Sequence, residues 1–166
     1  MGKLVEKLIA CLLYREIIEF NLLTTNQFGG YMASSMLDAG LTLLHNIQAA
    51  YAAGLCTGLL LFDIQGFFNN VNRERLTQII SDLGSAHKLV AWTQVFLADQ
   101  TVRLKFNSLT SDPFALDVGT PQGSPISPVL AVLYTHTILL KAGVCQTSLS
   151  IYMDDGAIFA YGCTWR

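Results

Sequence analysis

The sequence predicts an α+β fold. Two observations carry this: amphipathic segments with apolar residues every three or four positions, and short β-rich runs bounded by turn residues, with a tight hairpin near the end. At 166 residues and 18.2 kDa the chain fits one domain of ordinary size. Its hydrophobic share of 52% against a charged share of 13% excludes disorder, because enough apolar surface exists to offset the entropy of ordering.

The elements follow in order. From Lys3 to about Leu23, Leu4, Leu8, Leu12, Ile17 and Ile18 recur at helical spacing with Glu and Lys opposite. The segment TTNQFGG (24–30) carries breakers, and Ser34-Ser35 then precede a second periodic run from Met36 to Ala53, closed by Gly54, so a helical hairpin is expected. CTGLLLFDI (56–64) reads as a strand covered on both faces and ending at Asp63. Two helices are expected over 73–83 and 86–98, separated by Gly84, and TVRLKF (101–106) alternates as a half-buried strand that pairs with FALDV (114–118). GTPQGSP (119–125) is barred from helix by Pro121 and Pro125, whereas 129–140 is a buried helix with Pro128 in its first turn. SLSIY (148–152) and AIFAY (157–161) flank Met153-Asp154-Asp155-Gly156 as a β-hairpin.

A mean hydropathy of +0.43 raises the question of a membrane, yet no breaker-free apolar run of about 20 residues exists. A long uncharged stretch, between Asp117 and Lys141, holds Pro121, Gln122, Pro125 and His136. Net charge is −2 with a pI near 5.8, so composition shows none of the positive footprint of nucleic-acid binding. Cys11, Cys56, Cys145 and Cys163 are scattered, which argues against a zinc site or a disulfide framework and for a reducing compartment. No signal-peptide pattern opens the chain.

Three features carry chemistry. Asp63 at a strand end is ordinarily just solvated. Asp154-Asp155 also suits a turn, but adjacent carboxylates repel, and a nearby cation relieves that repulsion. Mg²⁺ takes carboxylate and phosphate oxygens, so side-by-side strands would let these groups share two ions about 3.5–4 Å apart for in-line nucleotidyl transfer. A glycosidase also uses two carboxylates, some 5–10 Å apart, but adjacency makes one of this pair redundant. The loop Gly119–Pro125 is a weak signal alone, although Gln122 offers donors and acceptors where Gly123 admits close approach of a nucleotide or template base.

Taken in order, LFDIQGFFNNV, GTPQGSPISPVL and IYMDDGAIF resemble the palm motifs A, B and C of reverse transcriptases. GKLVEKLIACLL, then NQFGG and a Ser-Ser helix with Asp38-Ala39, is similar to the fingers-to-palm stretch of the non-LTR (LINE-like) retrotransposon class. The resemblance covers essentially the whole chain. It implies a polymerase palm with an antiparallel sheet and helices packed on one face over 56–166, a helical fingers remnant over 1–55, and no thumb. It implies Asp63, Asp154 and Asp155 as the catalytic carboxylates binding two Mg²⁺ ions, for which Mn²⁺ substitutes, with the Ile64 carbonyl as a further ligand. Phe68 becomes the aromatic gate against a 2′-hydroxyl, Gln122 and Gly123 nucleotide contacts, and Tyr152, Gln27 and Gly29 primer or template contacts. The implied partners are an RNA template, a DNA primer and dNTPs, with no membrane.

Asn69 stands where the class usually has Asp, Tyr31 where a basic Arg is common, and Met32-Ala33 where a Pro-Gly-like turn is common, which bears on template-phosphate contact. The resemblance further implies that the triphosphate-binding fingers strand, the motif D lysine region, the primer grip and the thumb lie outside this chain. Weak turnover and poor solubility are then expected, with an exposed apolar palm. A decayed retroelement remnant, at most a weak RNA-binding module, is the alternative, and nuclear access is expected of the parent element.

Overall fold

A computed structural model describes residues 2–30, 34–141 and 147–163. Tyr31, Met32, Ala33, Cys145 and the last three residues lie outside the described residues. The elements are α1 (Gly2–Glu19), α2 (Met36–Ala52), β1 (Cys56–Asp63), α3 (Phe67–Asn70), α4 (Arg73–Asp82) and α5 (His87–Leu97). They continue with β2 (Thr101–Val102), β3 (Lys105–Phe106), β4 (Leu109–Thr110), β5 (Phe114–Ala115), α6 (Ser127–Lys141), β6 (Thr147–Tyr152) and β7 (Asp155–Gly162). Helices plus antiparallel sheets make this the expected α+β class.

The central sheet runs β1-β7-β6, antiparallel throughout. Its two faces are covered differently. Leu149 and Ile151 of β6 share one face with Phe62 and Ile158 and pack against Leu139 of α6. The opposite face, carrying Ser148, Ser150, Ala157 and Phe159, lies beneath α2. α6 packs on one face and α2 on the other: β7 carries apolar side chains on both sides of the pleat, whereas β6 presents Leu149 and Ile151 toward α6 and Ser148 and Ser150 toward α2. The two N-terminal helices therefore part company: α1 packs on α6, and α2 on β1 and β6. They do not form the helical hairpin the periodicity suggests.

β1 also differs from expectation. Read as covered on both faces, it is the edge of the described sheet, with Leu59, Leu60 and Leu61 exposed at 45%, 59% and 67%. A continuous apolar run fits an edge strand as well as a central one when nothing in its periodicity distinguishes them. The expected pairing of 101–106 with 114–118 forms only in part: β2 pairs with β5, whereas β3 folds back on β4 in a separate short ladder around Asn107, which takes φ +53.

α2 starts on a capping box. The Ser35 Oγ accepts from the Asp38 N–H at 3.2 Å, and the Ser35 N–H donates to Asp38 Oδ2 at 2.8 Å. Hydrogen bonds from Ser35 hold the Asp38 carboxyl below its ordinary pKa.

The principal core surrounds α6. Ile126, Val129, Leu130, Val132 and Leu133 are fully buried, joined by Leu13 and Ile17 of α1 and by Leu76 and Ile80 of α4. Leu130→Ala removes three buried carbons from a site ringed by fixed helices, and about 2–5 kcal/mol of stability is expected to be lost in denaturant titration. His136 is buried on the same helix with Nδ1 unpartnered among the described residues, and burial lowers its pKa from 6.5. The unfolded chain binds a proton there that the folded chain refuses, so stability falls as pH drops below about 6.5. Thermal midpoints measured from about pH 7.5 down to about pH 5.5 should fall less steeply in His136→Leu than in the parent.

Candidate active site at the sheet edge

The register of the sheet assembles the carboxylates. β1 pairs with β7 so that Asp63 stands opposite Asp155, and β6 pairs with β7 so that Tyr152 also stands opposite Asp155. Cross-strand partners share a face with Cβ atoms about 4.5–5.5 Å apart. The Ile64 N–H donates to the Asp154 carbonyl at 3.0 Å, which ties the end of β1 to the hairpin tip. Asp63, Asp154 and Asp155 thus gather at one sheet end, with Asp154 half-buried and the other two exposed. The Ile64 carbonyl accepts from the Phe67 N–H at 3.2 Å, leaving one lone pair for another partner.

The turn itself is tight. Tyr152 and Asp155 enclose Met153 and Asp154, and Met153 takes φ +59, a conformation usually reserved for Gly at the first central position of such a hairpin. What holds it there comes from far away in sequence. Residues 26–28 run alongside β6: the Ile151 N–H donates to the Asn26 carbonyl at 3.0 Å, and the Phe28 N–H donates to the Ile151 carbonyl at 2.9 Å. Gly29 then lies flat against the turn, where a Cβ would sit 2.4 Å from Met153 N and 2.8 Å from Tyr152 C. Gly30, at φ +67, lies equally close to Met153 Sδ and Val132, and its carbonyl accepts from the Tyr14 hydroxyl. Gln27 is buried, its amide donating to Thr135 Oγ1 of α6 at 3.3 Å. No hydropathy signal in the sequence reveals this parallel bridge; the paired glycines are the one hint of close backbone approach.

On the other side of β7, the Phe62 ring lies over Gly156, where a Cβ would meet ring carbons at 2.1–2.6 Å. Past Asp63, Gly66 at φ +63 turns the chain into α3, a single helical turn that periodicity misses because four residues show none. Phe68 on α3 is half-buried and meets Phe67 edge-on at 5.4 Å.

The loop at 119–125 is bound to α3. The Thr120 N–H donates to the Phe68 carbonyl at 2.8 Å, and the Gly119 N–H to the Val71 carbonyl at 2.8 Å. Gly119 takes φ +86 with no room for a Cβ, which would lie 2.8 Å from the Asn69 carbonyl oxygen. Ser127 Oγ donates to the Pro121 carbonyl and Ser124 Oγ to Glu6 of α1, both at 2.6 Å. Gln122 and Gly123 stand exposed between these anchors, and Gly123 faces open space.

The family model for "Reverse transcriptase (RNA-dependent DNA polymerase)" matches residues 1–163. The chain belongs to the reverse transcriptase family. No curated protein matches it. Reverse transcriptases in general use an RNA template, a primer and dNTPs with divalent metal ions. Among the described residues, no helix is long and apolar enough to cross a membrane.

The donor set here suits such metals in kind. Three carboxylates and a backbone carbonyl at one sheet end are the oxygen ligands a hard divalent cation prefers. Among the described residues, however, no group of three His, Cys, Asp or Glu side chains is already drawn together tightly enough to hold an ion. The backbone register brings Asp63 and Asp155 opposite each other at this sheet end.

Proposed function

We propose that this chain carries the catalytic palm of a non-LTR retrotransposon reverse transcriptase and joins dNTPs to a primer 3′-hydroxyl by nucleotidyl transfer. The supporting observation is the pairing of Asp63 with Asp155 across β1 and β7, with Ile64 bonded to the Asp154 backbone.

Asp63 and Asp154 are the principal metal-binding carboxylates, Asp155 completes their negative charge, and Ile64 offers its carbonyl. A pair of Mg²⁺ ions bound there supplies activation of the attacking hydroxyl and neutralisation of the departing pyrophosphate. The chain's own residues orient the reactants. Phe68 presents a ring beneath the sugar, where a 2′-hydroxyl would collide. Gln122 and Gly123, exposed on an anchored loop, meet the nucleotide and template. Tyr152, opposite Asp155, sits beside the primer terminus. Gln27 and Gly29 bear on primer and template through the turn they support, since one is buried and the other is pressed against Met153.

Primer extension on an RNA template with Mg²⁺, under enzyme excess so that slow turnover registers, tests this reading; product that does not depend on Asp154 would refute it. Phe68→Ala should admit ribonucleotides, lowering the preference for dNTP over rNTP by up to about 10²-fold, which is what an apolar pocket achieves against one added hydroxyl. Competition between the two nucleotides in single-step incorporation measures it.

A second reading, a decayed remnant retaining weak RNA binding, draws on the low count of basic residues, ten Lys and Arg against twelve Asp and Glu. RNA binding in the absence of Asp154-dependent extension would favour it.

A further inference from the structure

We propose that Arg73 is a positioning residue that locks the sugar gate and the nucleotide loop into one register and so sets the selection of dNTP over rNTP. This rests on the polymerase reading of the same site. Arg73 opens α4, and its guanidinium spans three carbonyls of the irregular segment that leads from β5 into the loop. Nε donates to Gly119 at 2.8 Å, Nη1 to Leu116 at 2.5 Å and Nη2 to Val118 at 3.1 Å. The rigid planar fork of Arg serves all three at once, which the single ammonium of Lys does not.

The return bonds close a circuit. Gly119 and Thr120 donate to the Val71 and Phe68 carbonyls, so the residue carrying the gate ring and the residue two before Gln122 are directly bonded. The origin of the clamp is itself fixed: Asn72 caps α4 by accepting from the Arg75 N–H at 2.7 Å, while Leu76 and Ile80 are fully buried. A cation in the first turn of a helix opposes the helix dipole, so this position is unfavourable to α4 alone. Its compensation lies in the loop it holds. The Leu116 and Val118 carbonyls are on exposed residues and rehydrate readily, so loss of the fork releases the loop more than it unfolds the domain.

The test compares Arg73→Gln and Arg73→Lys with the parent in single-turnover incorporation of one dNTP and its rNTP counterpart. Backbone exchange at Gly119 and Thr120 and the thermal midpoint are followed in parallel. For Arg73→Gln the expected result is a dNTP KM raised about tenfold or more, kcat changed much less, and dNTP preference reduced about tenfold, because displacement of the order of 1 Å costs up to about 10²-fold. Exchange at both amides should accelerate, and Arg73→Lys should recover part of the KM but little of the selectivity. Parent-like KM and selectivity in Arg73→Gln would overturn the proposal even if exchange accelerates, as would a loss confined to kcat alongside a lowered midpoint. Failure of the parent to show Asp154-dependent incorporation would remove the polymerase reading and this inference together, an outcome distinct from a parent that works and a variant that matches it.

Discussion

Asp154→Asn is expected to reduce single-turnover primer extension by at least about 10²-fold while leaving the thermal midpoint near that of the parent. The substitution conserves volume and one oxygen but removes the charge that would hold a divalent cation against developing phosphoryl charge. Losing one preorganised charge-stabilising group typically costs about 10²–10³ in rate. The fold should tolerate it, because the contact Asp154 makes with β1 runs through its backbone carbonyl, which accepts from the Ile64 N–H. The side chain is half-buried at a hairpin tip, so its removal leaves no core cavity. Asp63→Asn should behave likewise. Retention of more than about a tenth of parental extension by Asp154→Asn would argue that the carboxylates at this sheet end are not the catalytic ones.

Gly29→Ala is expected to reduce extension by a comparable factor by a different route. One added methyl would lie 2.4 Å from Met153 N and 2.8 Å from Tyr152 C, and backbone atoms, unlike a flexible side chain, cannot swing aside. Either residues 26–30 withdraw from β6 or the turn carrying Asp154 is displaced. Overpacking of this kind costs about 1–3 kcal/mol, and a displacement near 1 Å at the reacting groups costs about 10²-fold in rate. Urea denaturation and single-turnover extension, run together, separate the two contributions. Gly40→Ala is the control: on α2 its Cβ meets nothing within 4 Å, so extension should be unchanged. Parental activity in Gly29→Ala would mean that the N-terminal segment does not set the turn.

Much of the candidate site's local geometry arises from residues close together in the chain. Asp63 terminates a run of apolar residues, Asp154 lies in a hairpin turn directly before Asp155 opens β7, and Pro121 and Pro125 exclude helix around Gln122. Each follows from φ restrictions, turn chemistry and side-chain periodicity acting over a few residues. The α4 and α5 helices and the Gly84 break between them were legible for the same reason.

Long-range contacts decided the rest. Whether β1 is an edge or a centre depends on which strands neighbour it, and the run from Leu59 to Leu61 reads alike in both settings. That α2 leaves α1 to cover the sheet, and that Gln27 reaches Thr135 on α6, depends on packing between segments about a hundred residues apart. The same holds for the pairing of Asp63 with Asp155: residue types set out the chemistry, but only the register of β1 on β7 brings the carboxylates to one end of one sheet. Local rules name the groups because torsional and turn preferences act within a few residues. Their meeting place was left to the tertiary fold, since strand pairing and core packing are free energies of the whole chain.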